Sequence, residues 1–448
     1  MNPINGTGIW KWFALFSLLM LFLGLNFGVL AAHSYTAPGL WKETLGFIKL
    51  RPLHVTTVVF WILTGATAAL YFSMQELGMK INRWLATIQI ICWITAITGI
   101  IYSYLNGEFG GREYWEYPPV WSLPVLMAWL IMVYQYVAGI RNIDRKPVYI
   151  WMWGTGLCFF VFVFLENYLW AFGSMRADFI RDTTIQWKVN GSLVGCWNQI
   201  IYGTSFYLME KISGDGSPAR SRLAVSMYFL GLFNLMFNWS HHIYTLPTAM
   251  YVRYIGYFVS MTEWIIFLRI IWNFRSSLAE TRKHLHLLSF RFLMAADYWV
   301  LLNLLMALLM SVPVINVYTH GTHITVAHAM GTTIGINTMI LLGVFAYAVE
   351  RKGVSVKQRK WMTGSWLAVQ FSLLVFWFSL IVAGILKTKW QLEEPEILHT
   401  EIMERSIPVF RLFSYSGSVM LFAFSVIITI YIRNLLSRTD MRMQTKIQ

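Results

Sequence analysis

The chain has 448 residues, of which 57% are hydrophobic, 17% aromatic and only 12% charged. Together with repeated apolar runs of about 20 residues, this composition excludes a soluble globular protein and predicts a polytopic helical membrane protein. The net charge of +14 does not indicate nucleic-acid binding. Lysine and arginine instead fall in short clusters between apolar runs, as they do in cytoplasmic loops of membrane proteins.

The apolar runs predict an all-α bundle of about twelve transmembrane helices, in a single domain covering residues 1–448. They lie at roughly 9–32, 53–75, 84–105, 120–140, 148–173, 186–209, 222–243, 248–273, 290–312, 321–348, 361–386 and 408–432. The first run is too long for the core of a signal peptide, so we expect it to remain as a helix. The loops after the fourth, sixth, eighth and tenth runs are basic, and the positive-inside rule places them in the cytoplasm.

The cysteines Cys92, Cys158 and Cys196 all lie inside apolar runs and show no CxxC spacing. This arrangement excludes a disulfide framework, an iron–sulfur cluster and covalent c-type haem attachment for this chain.

The most informative stretch is 317–330, which places His328 and Met330 two residues apart in a predicted membrane helix. Each residue of an α-helix turns about 100°, so these side chains point to opposite faces and could each serve a different haem. Counted from Tyr318, His328 lies about 15 Å along this predicted helix, in the outer half of the bilayer. Taken alone, Met330 is equally consistent with core packing.

Other polar residues inside or at the ends of the spans are functional candidates, because buried ionisable groups are costly in a membrane. They are His54, Asn190, His241, His242 and Glu263. The adjacent pair His241-His242 can converge on one metal only if the helix ends or distorts there, which Pro247 nearby permits. His54 on its own is also consistent with an interfacial residue.

Together these motifs resemble the haem–copper oxidase superfamily, and within it the catalytic subunit of cytochrome c-dependent nitric oxide reductases. The resemblance covers essentially the whole chain. Its matching pieces are Leu50-Arg51-Pro52-Leu53-His54, Gly111-Arg112-Glu113-Tyr114, Gly195-Cys196-Trp197, Trp239-Ser240-His241-His242-Ile243-Tyr244, Tyr318-Thr319-His320-Gly321-Thr322 and Val326-Ala327-His328.

The resemblance implies two b-type haems, a high-spin haem on His328 and a low-spin haem on His54. It places His241 and His242 in a non-haem metal site, iron or another metal, and Glu113 at a calcium ion, which prefers oxygen ligands. It also places Glu263 near the non-haem metal, in a tuning or proton-carrying role.

Three ligand positions depart from the pattern of the family. Met330 replaces the second low-spin haem histidine, and thioether ligation raises the reduction potential relative to two histidines. Asn190 replaces a histidine of the non-haem site, and Val194 replaces its glutamate. The non-haem site is therefore left with two histidines and the weak amide donor of Asn190, so that the metal there is weakly held or absent.

The predicted function is a membrane oxidoreductase of denitrification, which reduces 2 NO to N2O with electrons from a membrane-anchored cytochrome c subunit. The altered ligands leave two alternatives open, namely dismutation of NO to N2 and O2, or a non-catalytic haem protein for sensing or electron transfer. A transporter is disfavoured because no paired internal repeats are evident. We expect the chain in the bacterial inner membrane, with both haems towards the periplasmic side and no nucleic-acid partner.

Overall fold

A computed structural model describes residues 8–140, 146–261 and 286–437. This part of the chain is helical and contains no strand, and its one pair of extended residues is an isolated bridge between Arg112 and Trp115. The predicted all-α architecture is confirmed.

The described α-helices, numbered in chain order, occupy the following ranges. They are α1 Ile9–His33, α2 Lys42–Leu45, α3 Phe47–Glu76, α4 Arg83–Leu105, α5 Ser122–Ile140, α6 Val148–Glu166, α7 Gly173–Arg176, α8 Phe179–Ser213, α9 Arg222–Phe237, α10 at 250–261, α11 Leu287–Ser311, α12 Pro313–Thr319, α13 His323–Met330, α14 Met339–Glu350, α15 Val356–Glu393, α16 His399–Arg405 and α17 Ile407–Leu436. Short 3-10 helices lie at Pro119–Trp121, Leu169–Ala171, Pro218–Arg220 and Asn238–Ile243, and a π-helix spans Gly331–Thr338.

In the described residues, ten helical segments are long and apolar enough to cross a membrane. The 35-residue α8 is not among them, because its composition is too polar, and the predicted span 248–273 lies partly outside the described residues. The count of twelve therefore stays a prediction.

Local sequence signals set several helix starts. The side chain of Asn82 caps α4 by accepting from the backbone N–H groups of Trp84 and Leu85. Asp178 caps α8 in the same way, and Ser355 and Gln358 form a reciprocal capping box at the start of α15. These side chains satisfy backbone donors that a helix N-terminus leaves unpaired.

The centre of the bundle is formed by α3 and by the segment His323–Glu350, which are the most buried of the ten candidate spans. The indole N–H of Trp61 donates to the Thr338 hydroxyl at 2.9 Å, and Gly65 faces Leu341. Because α3 and this segment run in the same direction, residues that precede these contacts by similar distances lie at similar heights. Around them pack the pairs α1–α3, α6–α8 and α15–α17.

Candidate functional site

A cavity of about 170 Å3 lies between α8, α9, α11 and the segment that begins at His323. Four histidines line it: His241, His242, His320 and His328. Its amide side chains are Asn198, Gln199, Asn234, Asn238, Asn303 and Asn316. Among the described residues that line the cavity there is no aspartate, glutamate, lysine or arginine. The walls therefore offer imidazole nitrogens, amides and hydroxyls, but no carboxylate.

His328 lies on a helix that starts later than the sequence indicates. The chain turns at Gly321, whose φ is +72°, and Thr322 then caps α13 by accepting from the Ile324 N–H. The distance of about 15 Å from Tyr318 is therefore wrong as a depth along one helix. His328 is five residues beyond His323, which corresponds to about 7.5 Å along α13.

The His328 ring faces the cavity, and its Nδ1 atom is buried with no hydrogen-bond partner in the described part of the chain. The helix around it is held by Thr332, whose hydroxyl donates to the His328 carbonyl at 3.2 Å. Asn303 of α11 donates in turn to the Thr332 hydroxyl at 2.7 Å. A buried ring nitrogen without a partner suits a metal ligand, because burying an unsatisfied polar atom is otherwise costly.

Met330 follows His328 by two residues on the same α-helix and does not line the cavity. Its side chain is half-buried against the hydrophobic core. This arrangement agrees with the expectation that the two side chains point to opposite faces. Ligation of a haem by Met330 remains a prediction.

His54, on α3, is oriented by a backbone carbonyl of α1. Its Nδ1–H donates to the Gly24 carbonyl at 2.7 Å, which leaves Nε2 as the nitrogen with a free lone pair. A Cβ atom on Gly28 would lie 2.7 Å from the ring, so glycine makes room for it. A ring nitrogen fixed by a backbone carbonyl is the usual support of a histidine that binds metal through its other nitrogen.

His54 and Met330 lie at similar heights. His54 precedes Trp61 by seven residues and Met330 precedes Thr338 by eight, and Trp61 and Thr338 are hydrogen-bonded. These separations correspond to about 10 Å and at most about 12 Å on two helices that run in the same direction. The geometry is therefore compatible with one haem between them.

His241 and His242 lie on the 3-10 helix Asn238–Ile243, so the predicted distortion of the helix is present. Their ring centroids are 4.2 Å apart. The His241 Nδ1–H donates to the Asn238 amide oxygen at 3.1 Å, and Ser260 donates to the same oxygen at 2.7 Å. His242 stacks on Trp187, with ring centroids 5.2 Å apart and planes 12° apart.

Asn190, expected beside these histidines, does not line the cavity. Its amide oxygen accepts from Gln186 at 3.0 Å, and its amide nitrogen lies 3.5 Å from a Glu113 carboxylate oxygen. Val194, one helical turn further on, does line the cavity. Among the described residues, no three His, Cys, Asp or Glu side chains already converge as a metal site.

Glu113 lies in the loop after α4, where Arg51 forms ion pairs with both Glu113, at 3.3 Å, and Glu116. Burial raises the pKa of Glu113, the neighbouring Arg51 opposes this shift, and Glu116 adds to it. The loop is fastened to α8 by Arg112, which pairs with Asp182 at 2.6 Å. The carboxylates predicted to bind calcium therefore already face a cation.

Glu263, predicted near the non-haem metal, lies outside the described residues. His320 is the residue that the sequence reasoning left without a role. It lies in the quoted motif eight residues before His328, and its place between α12 and the Gly321 turn was the signal that the chain bends there.

The match to known protein families covers most of the chain. Residues 8–420 match the family described as "Cytochrome C and Quinol oxidase polypeptide I". The chain is 22% identical over 406 residues to a nitric oxide reductase polypeptide of Stutzerimonas stutzeri, with 82% of each chain covered. It is also 22% identical over 395 residues to the cytochrome c oxidase subunit 1 of Rhodobacter capsulatus, with 82% of this chain and 72% of that one covered.

The fold is similar to a solved haem–copper terminal oxidase dimer determined by cryo-EM. The TM-score is 0.76 at 14% sequence identity, and the match covers 97% of this chain and 84% of that chain. The helical bundle therefore has the haem–copper oxidase fold.

Proposed function

Because this chain belongs to the cytochrome c and quinol oxidase polypeptide I family, we propose that it is the dihaem membrane subunit of a nitric oxide reductase-like enzyme. Members of this family are multi-pass membrane oxidoreductases that bind haems and a non-haem metal and work with other subunits. The observation that carries the proposal is the division of α13, where His328 faces the cavity and Met330 does not. The motifs of the sequence and the reductase relative support nitric oxide as the substrate.

The residues present fit two haems. His54, with its Nδ1 fixed on Gly24, and Met330 would hold the low-spin haem. His328, with a buried nitrogen that lacks a partner, would hold the high-spin haem at the cavity. When bound, haem iron would supply electron exchange and a site for a diatomic gas.

The residues at the other wall fit a metal through histidine only. Asn238 holds His241 so that its Nε2 is free, and His242 has a buried Nδ1 without a partner in the described residues. A cavity of about 170 Å3 has room for two diatomic molecules, since a water molecule needs only about 10–15 Å3. The surrounding amides and hydroxyls would donate hydrogen bonds to a bound gas or product. On the outer loop, the carboxylates of Glu113 and Glu116 would be the calcium ligands.

The candidate residues point to the outer side of the membrane. His54 lies near the start of α3, His328 near the start of α13, and His241 and His242 follow the end of α9. These three helix ends lie on one side of the bundle, and the basic loops between spans lie on the other. Electrons would therefore enter from a cytochrome c subunit on the periplasmic face of the bacterial inner membrane.

One observation favours dismutation of nitric oxide as a second candidate function. Reduction, 2 NO + 2 e− + 2 H+ → N2O + H2O, consumes protons, whereas dismutation, 2 NO → N2 + O2, consumes none. No described residue that lines the cavity carries a carboxyl group to deliver protons. A reaction that needs neither protons nor electrons fits such a wall.

The test is to supply 15N-labelled NO anaerobically to the purified protein with its native partner, with and without an electron donor. We expect N2O that depends on the donor. N2 and O2 in the absence of donor would establish dismutation instead. NO bound to haem with no gas product would overturn both activities and leave a sensing or electron-transfer protein.

A further inference from the structure

The cavity contains a third histidine close to the pair on the 3-10 helix. The ring centroids of His242 and His320 are 5.9 Å apart, and those of His241 and His242 are 4.2 Å apart. Trp187 contacts both neighbours, stacking on His242 and meeting His320 edge-on at 5.4 Å. Three imidazole rings thus adjoin at one end of the cavity.

The backbone that carries His320 is fastened to this pair. The Asn316 amide donates to the His241 carbonyl at 3.3 Å and to the Met310 carbonyl at 2.9 Å. Asn316 lies on α12, and His320 follows the last residue of that helix. A displacement of His320 away from the pair would therefore break contacts of the buried Asn316 side chain.

The free nitrogens of the three rings also agree with a shared ligand. His242 Nδ1 and His320 Nε2 are buried and have no hydrogen-bond partner among the described residues. Asn238 occupies only the Nδ1 side of His241, so its Nε2 is available. The Asn190 amide, by contrast, is engaged by Gln186 and faces Glu113.

We propose that His320 is the third donor of the non-haem metal site, together with His241 and His242, in the position that Asn190 was expected to fill. This inference rests on the proposed function only in so far as that function includes a non-haem metal. The site takes a divalent first-row transition metal, because imidazole nitrogen suits iron, copper and zinc and the wall supplies no carboxylate. The rings adjoin without yet converging, so that binding turns them about their side-chain bonds.

The probe is Cu(II), added to haem-containing protein from which the non-haem metal has been removed with a chelator. Electron paramagnetic resonance counts the bound nitrogens, and elemental analysis gives the stoichiometry and the affinity. We expect three nitrogens in the wild-type protein. His320→Ala should leave two and weaken binding at least about tenfold, with the low-spin haem spectrum unchanged.

The matched control is His323→Ala. His323 lies three residues away, also has a buried Nδ1 without a partner in the described residues, but packs on Tyr35 and Phe410 outside the cavity lining. We expect this variant, and Asn190→Ala, to keep three nitrogens and full affinity.

Two bound nitrogens in the wild-type protein would overturn the proposal, and this measurement stands even if His320→Ala does not fold. Loss of affinity in Asn190→Ala with none in His320→Ala would overturn it as well. Failure of the proposed function is distinguishable, because an absence of gas products in the NO assay leaves the nitrogen count as it is.

Discussion

Gly28 determines how closely α1 approaches the ring of His54. A Cβ atom at this position would lie 2.7 Å from the ring, well inside van der Waals contact. We predict that Gly28→Ala pushes the ring off its hydrogen bond to Gly24 and removes most of the low-spin haem absorbance, measured by redox difference spectra. The matched control is Gly364→Ala on α15, where an added Cβ meets no atom within 4 Å. An unchanged low-spin spectrum in Gly28→Ala would count against His54 as a ligand.

Met330 sets the second prediction at the scale of the residue. If its thioether binds the low-spin haem, Met330→His should lower the midpoint potential by on the order of 100 mV, within the range of about 0.8 V that axial ligands span. Potentiometric titration checks the shift. Met310→Leu, a change in the cavity lining on α11, is the control and should leave that potential unchanged.

His328 is tested separately, because it serves the other haem. His328→Ala should abolish the high-spin haem signal and leave the low-spin signal in place, as read from optical and paramagnetic resonance spectra. Retention of both signals would contradict the assignment.

At the scale of the helical element, α3 is held to the central segment by a hydrogen bond between side chains. Removal of the Thr338 hydroxyl by Thr338→Val leaves the buried Trp61 N–H without its acceptor. We predict a loss of about 0.6–1.7 kcal/mol, the range for interhelical hydrogen bonds in membranes, measured as thermal stability in detergent. Thr64→Val is the control, because the Thr64 hydroxyl bonds only to Phe60 of its own helix. Equal losses in the two variants would show that the contact between the helices contributes nothing.

The same scale shows how far the sequence reaches. Hydrophobic runs located most helices to within a few residues, and the pair His241-His242 correctly indicated a distorted helix end. The later start of α13 at His323 depends on one positive φ angle at Gly321, which an apolar run conceals. The place of Asn190 against Glu113 was also not predictable, since it depends on a contact between residues 77 positions apart.

At the scale of the whole molecule, the arrangement of charge predicts the orientation. Lys357 precedes most of α15 and Glu396 follows it, and both are exposed. After replacement of Cys92, Cys158 and Cys196, a cysteine at Glu396→Cys should react with an impermeant maleimide in intact cells. A cysteine at Lys357→Cys should react only after permeabilisation. The reverse pattern would place the candidate haem residues on the cytoplasmic side.

The π-helix Gly331–Thr338 lies just inside the two candidate haem ligands and just outside the contact between Gly65 and Leu341. A π-turn contains one more residue than an α-turn, so this stretch stores spare chain. Loss of one residue here can be absorbed as the segment rewinds to an α-helix, with both flanks in place. The same loss within α14 would rotate every residue beyond it by about 100°. Natural variation in chain length along the central helix is therefore expected to concentrate in these eight residues, where evolution can alter the chain without moving either haem.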